Sequence, residues 1–172
     1  PWSPPMTHLG PREGITTGLI GAAIVAAFYL LLDTINGIPL LTPSILGEVL
    51  VLRSGTPNLT APVGMAIGMY TAVHLIAFAL FGLFLTKMVH LSERSSVARY
   101  GVLQLLVAFL FAFYGVLAVA SEVTRGLFPL WGVLAANVSA AVAMGAYLWN
   151  RHPAFRAAIR RTPLGAGDSA DA

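Results

Sequence analysis

The chain has no cysteine, which removes disulfides, thiolate metal ligands, iron–sulfur clusters held by this chain and Cys nucleophiles. Charge is almost as scarce. Asp, Glu, Lys and Arg make up 10% of the 172 residues, against about 25% in an ordinary soluble domain. What fills the space is apolar: 57% of residues are hydrophobic, and mean hydropathy is +0.79. Four stretches, 15–35, 63–86, 100–121 and 127–150, carry one charged residue between them, Asp33. They run 21 to 24 residues, and about 20 residues suffice to cross a hydrocarbon core. This pattern excludes a soluble globular domain, a disordered chain and a β-barrel.

The expected fold is therefore all-α and integral to the membrane, a bundle of four transmembrane helices. The spans fall at about 15–36, 63–87, 100–121 and 127–150. About 80 residues remain for tails and connections, too few for a separate catalytic domain. Residues 1–14 form a polar, Pro-rich lead without the cleavable apolar region of a signal peptide. Translation is expected to start at Met6 or upstream of Pro1.

The sequence pI near 9.7 suggests nucleic acid, but the positions of the charges argue otherwise. Arg12, Lys87, Arg94, Arg99, Arg151, Arg156, Arg160 and Arg161 fall on the N-terminal lead, the second connection and the C-terminal tail. Only Arg53 and Arg125 fall on the first and third connections. This bias predicts that both termini are cytoplasmic. The partners it implies are anionic lipids, with no role for nucleic acid. Arg156, Arg160 and Arg161 are the candidates for lipid head groups, on a basic amphipathic helix within the tail, residues 151–172.

The first connection is more than a loop. Asn36-Gly37 reads as a helix C-cap, and Thr42-Pro43 as an N-cap followed by Pro at the first helical position. Ile45, Leu46, Val49, Leu50 and Leu52 then give a short interfacial helix over about 43–53. Small residues mark the packing faces. Gly18, Ala22 and Ala26 form one in the first span. In the fourth, Gly132, Ala136 and Ala140 form one, with Ala135, Ser139 and Ala143 beside it.

Polar residues within spans are the default functional candidates. His74 and Asn137 lie at similar depth near the bilayer middle, and Tyr29, Tyr70 and Tyr114 lie nearer the outer surface. Tyr70 and His74 are four apart and share a helix face. Converging, these five side chains would form a ligand site; the plainer alternative is a set of interhelical hydrogen bonds. Asp33, at the outer end of the first span, is expected to pair with Arg53 or Arg125, or to cap the helix end locally.

Cofactor chemistry has little purchase. His74 lacks the second mid-membrane imidazole that bis-His haem needs, and Tyr70, one turn before it, crowds a flat pigment. His8, His90 and His152 map to the cytoplasmic side and are expected to be scattered, leaving no metal site. The spans hold no central carboxylate, no H-E-x-x-H and no phosphate loop. No catalytic residue is assigned, and no cofactor is expected to be held by this chain alone; a quinone or pigment shared with a partner is compatible with it.

The series Asp33…Gly37-Ile38-Pro39-Leu40-Leu41-Thr42-Pro43, Tyr70…His74 and Trp149…His152-Pro153 resembles four-span bacterial membrane proteins. The resemblance implies a multi-pass protein of the bacterial cytoplasmic membrane and supplies no activity. The expected function is a non-catalytic structural or accessory subunit of a larger bacterial inner-membrane complex, with respiratory or photosynthetic electron-transfer assemblies as the expected hosts. Its partners would be lipids and other integral-membrane subunits. The alternative is a small binding or transport protein with its ligand site at His74 and Asn137.

Overall fold

The computed structural model describes residues 10–92, 96–119, 126, 128 and 130–161. The described residues are mostly helical, with no strand among them. Helix α1 spans Gly10–Ile35, α2 spans Leu41–Leu46, α3 spans Gly64–Ser92, α4 spans Ser96–Val119, α5 spans Leu130–Arg151 and α6 spans Pro153–Arg161. Three helices are long and apolar enough to cross a membrane: Gly10–Ile35, Gly64–Ser92 and, within α5, Trp131–Arg151. In α4 the described apolar stretch is the shorter Tyr100–Phe109.

Helix α1 starts at Gly10, ahead of the apolar run. Pro11 suits a first turn, where its missing N–H has no partner to lose, and Glu13 sits at the positive end of the helix dipole. Helix α3 continues past Lys87 to Ser92 because Val89 is buried in the core. At its far end α1 stops in a glycine turn. Gly37 has φ 82°, the Gly37 N–H donates to the Thr34 carbonyl, and the Ile38 N–H donates to the Asp33 carbonyl, both at 3.0 Å. That is the expected Asn36-Gly37 cap.

The long helices form a ring in the order α1, α3, α4, α5, closed by α5 on α1. Neighbours run antiparallel: Gly14 lies against Leu83, Gly21 against Met144, and Gly101 beside Met88. The tightest pairing is α1 with α3. A Cβ on Gly82 would fall 2.3 Å from the Gly14 carbonyl oxygen and 2.4 Å from the Gly18 nitrogen. One on Gly18 would fall 2.1 Å from the Phe78 carbonyl oxygen. The backbones therefore touch, and the dispersion contacts this permits drive helix association in lipid, where no hydrophobic effect separates helix from tail.

Of the expected narrow faces, Gly18 and Ala22 are buried in this interface, joined by Gly14 and Gly21; Ala26 is exposed. On α5, Gly132, Ala136 and Ala140 are buried with Val133, Met144 and Leu148, while Ser139 is exposed and bonds back to the Ala135 carbonyl. Phe78 and Phe81 of α3 meet Phe109 of α4, with ring centroids at 5.5 and 4.6 Å.

Glycine substitutions test this packing. Gly82→Ala should destabilise the bundle by about 1–3 kcal/mol, because the methyl meets backbone that cannot rotate away. Gly68→Ala on the same helix faces open space and should be neutral or slightly stabilising. Thermal unfolding of the two variants in detergent measures the difference.

Candidate functional site

Antiparallel packing brings the polar residues to the two ends of the bundle and to one groove between them. At the end where α1 finishes, α2 folds back over the helix terminus. Leu40 enters it with φ 66°, a left-handed conformation that a branched side chain adopts only under tertiary constraint. The constraint is Asp33. Its Oδ2 accepts from the Thr42 N–H at 2.8 Å, and its Oδ1 accepts from the Thr42 hydroxyl at 2.7 Å. A side chain of α1 thus caps α2, satisfying a donor the helix start leaves open. Asp33 forms no ion pair with Arg53, which is exposed at φ 55°; the fold-back of α2 presents a helix N-terminus to the carboxylate first. Arg125 lies outside the described residues. Thr42 is within the first turn, where the sequence suggested an N-cap.

Glu48 extends the same scheme. Beyond Leu46 the helix widens into a π-helical turn, Gly47–Val51, where the Leu52 N–H reaches the Gly47 carbonyl at 3.0 Å. Glu48 is buried there. Its Oε1 accepts from the Ser44 hydroxyl at 3.2 Å and its Oε2 from the Asn58 N–H at 3.0 Å. Ser44 in turn accepts from the Val63 N–H at 2.8 Å, one residue before α3. Gly47 rests on the Ala66 carbonyl. Two carboxylates therefore hold the whole first connection against the bundle.

Below this cover, α1 and α3 part. A groove of about 540 Å³ opens between them, roofed by Leu40, Thr42 and Pro43. Its polar lining includes Tyr29, Tyr70, Thr71 and His74. His74 donates through Nε2 to the Ala22 carbonyl at 3.3 Å, which leaves Nδ1 as an acceptor. The Tyr70 and Phe78 rings flank the imidazole at 5.6 and 4.6 Å between centroids. Three of the five expected site residues thus share one groove. Asn137 does not line it; this residue is buried on the α5 face beside Ala136, and α5 packs on α1 and α4 more than on α3. The Tyr114 side chain lies outside the described residues.

The opposite end gathers Glu13, His90 and His152. His152 Nε2 lies 3.2 Å from Glu13 Oε1, and the two imidazole rings meet edge to face at 4.7 Å. This corrects the expectation of scattered histidines: helices α1, α3 and α5 all end here, so residues far apart in sequence share one end. His8 lies outside the described residues. On α6, Phe155 is buried and Ile159 packs on the core, while Arg156 is half-buried and Arg160 exposed. The Arg161 side chain lies outside the described residues.

Sequence reasoning missed Glu13, Ser44 and Gly82. Glu13 sits in a polar lead, and its role depends on α1 starting early. Gly82 belongs to no glycine spacing within its own helix; its partners are on another.

Comparison with protein families, with curated proteins and with solved structures finds no match for this chain.

The Asp33 cap has a measurable consequence. Asp33→Ala leaves the Thr42 donors without their acceptor and should cost about 1–2 kcal/mol. It should also release the first connection, read as faster proteolysis within residues 52–62 and a lower melting temperature. Arg53→Ala should change neither.

Proposed function

We propose that the chain is a four-span protein of the bacterial cytoplasmic membrane that binds an amphiphilic small molecule in the groove between α1 and α3. Three considerations support the topology. Helix α4 has 24 residues, and at about 1.5 Å per residue it has the length to be the remaining span. Arg12, Lys87, Arg151, Arg156 and Arg160 lie at one end of the bundle, with Arg53 at the other, as expected for an inner and an outer face. Helix α6 turns Phe155 inward and leaves Arg160 exposed, suited to the inner leaflet.

The observation that carries the binding reading is the groove at His74. Its walls are mostly apolar, and its few polar groups converge: the Tyr29 and Tyr70 side chains and the imidazole acceptor Nδ1. This is the character of small-ligand sites, an apolar body with a few placed hydrogen-bonding groups. The ligand class that fits is an apolar ring or chain bearing hydroxyl or carbonyl groups, of which a quinone head is one form. Among the described residues that line the groove none is a carboxylate, and the reading is one of binding. A short-chain ubiquinone is a suitable probe, followed by quenching of intrinsic fluorescence in nanodiscs. His74→Ala should weaken binding at least tenfold by removing an acceptor and its ring packing. Ala26→Phe, which fills the groove with His74 intact, should do the same. Equal affinity in both variants sinks the reading.

A second reading, an accessory subunit of a larger membrane complex, is favoured by one feature. Leu103, Val107 and Phe111 lie four apart on α4 and are all exposed, an apolar stripe along one face. Extraction in mild detergent followed by mass spectrometry tests it. Co-purification with larger integral subunits supports it, and loss of those subunits in a Val107→Lys variant should follow. Recovery of the chain alone excludes it.

A further inference from the structure

From the three-helix junction at the basic end of the bundle, we infer that Glu13, His90 and His152 form a mononuclear site for a borderline divalent cation of the zinc, cobalt or nickel kind. One donor atom from each residue lies within 4.8 Å of a donor atom from each of the other two. The Glu13–His152 separation, 3.2 Å, is close to the distance between two ligands on a tetrahedral ion with bonds of about 2.0–2.1 Å. Small side-chain rotations bring the third donor to the same point.

The donors are held from behind. His90 donates through Nδ1 to the Thr86 carbonyl at 2.8 Å, which fixes its tautomer and leaves the Nε2 lone pair for an ion. Thr86 is buried against Thr17, their hydroxyl oxygens 3.5 Å apart, and the Thr17 hydroxyl donates to the Glu13 carbonyl at 2.8 Å. The backbones bearing two of the ligands are therefore tied through one threonine pair. His152 occupies the non-helical joint between α5 and α6. Its N–H donates to the Leu148 carbonyl, its carbonyl accepts from the Arg156 N–H, and Pro153 restricts the joint.

The pocket around them, about 310 Å³, is lined by Arg12, Thr16, Tyr147 and Arg151 besides the three donors. Glu13 is half-buried, His90 exposed and His152 buried, so an ion can enter and keep one position for water. The Arg151 guanidinium lies over the Tyr147 ring at 5.8 Å. Two guanidiniums beside a single carboxylate disfavour hard cations, whose binding rests on charge. Imidazole donation still favours borderline ions, so the site selects zinc, cobalt or nickel over magnesium and calcium. Bound, the ion clasps α1, α3 and the α5–α6 joint at one point.

Cobalt(II) titration of the full chain in detergent, with any affinity tag removed, tests this. Wild type should develop visible d–d bands at one ion per chain, and zinc should displace them. Zinc should also raise the melting temperature in a concentration-dependent way, while magnesium and calcium should not. His90→Ala, at an exposed position that the fold tolerates, and Glu13→Gln should each weaken cobalt binding at least tenfold. His74→Ala should leave the bands unchanged. Bands that persist in His90→Ala, or are equally lost in His74→Ala, overturn the assignment. So does stabilisation by inorganic phosphate with none by zinc, which would make the pocket an anion site of Arg12 and Arg151.

Discussion

Backbone contact between α1 and α3 is the constraint on which the other features rest. Gly14 and Gly18 on one helix and Gly82 on the other let the two backbones approach until carbonyls and Cα atoms touch. In a bilayer this close approach is the available driving force, because lipid tails are as apolar as leucine. It also sets what happens away from the crossing. Toward one end the helices continue tightly to Thr17 and Thr86, and the termini converge. Toward the other, glycine gives way to Tyr29, Tyr70 and His74, which line the groove between the two helices. The groove is the geometric complement of the glycine contact.

A splayed pair of helices in lipid needs a cover, and the first connection supplies it. An eleven-residue helical segment, Leu41–Val51, is too short to cross a bilayer, and its start covers one end of the groove. Its own backbone groups must still be satisfied. Asp33 takes the Thr42 N–H, and Glu48 takes the Asn58 N–H. Buried carboxylates accepting backbone donors are short, strong and directional, and they fix the cover where surface ion pairs would be screened and mobile.

Residue patterns carried the fold a long way. Runs of over twenty residues with a single charge among them located the helices, and Asn36-Gly37 located the end of the first. The small-residue face of α5 was legible because Gly132, Ala136 and Ala140 repeat at helical spacing within one segment. What was not legible depends on pairing between segments. Gly82 has no such repeat, so its contact with Gly14 and Gly18 emerges only from the antiparallel register. Asn137, likewise, is not among the residues that line the groove at His74. Equal depth put them at one level of the bilayer, but depth says nothing about azimuth. His74 faces α1, and Asn137 lies on the inward face of α5. Depth and helix phase are independent coordinates, and a single sequence constrains only the first.

The two ends of the bundle use their acidic groups differently. Asp33 and Glu48 are both consumed by donors of the connection they hold, and each carboxylate oxygen has a hydrogen-bond partner in hand. Glu13 faces His152 instead, with a second imidazole against the first. An imidazole pair beside one carboxylate does not lock a helix end through backbone donors as Asp33 and Glu48 do. It is a good way to hold an ion, since neutral imidazole nitrogen and carboxylate are both metal donors. The bundle is thus capped by hydrogen-bonded carboxylates where the groove is roofed and by an imidazole–carboxylate cluster where three helix ends meet.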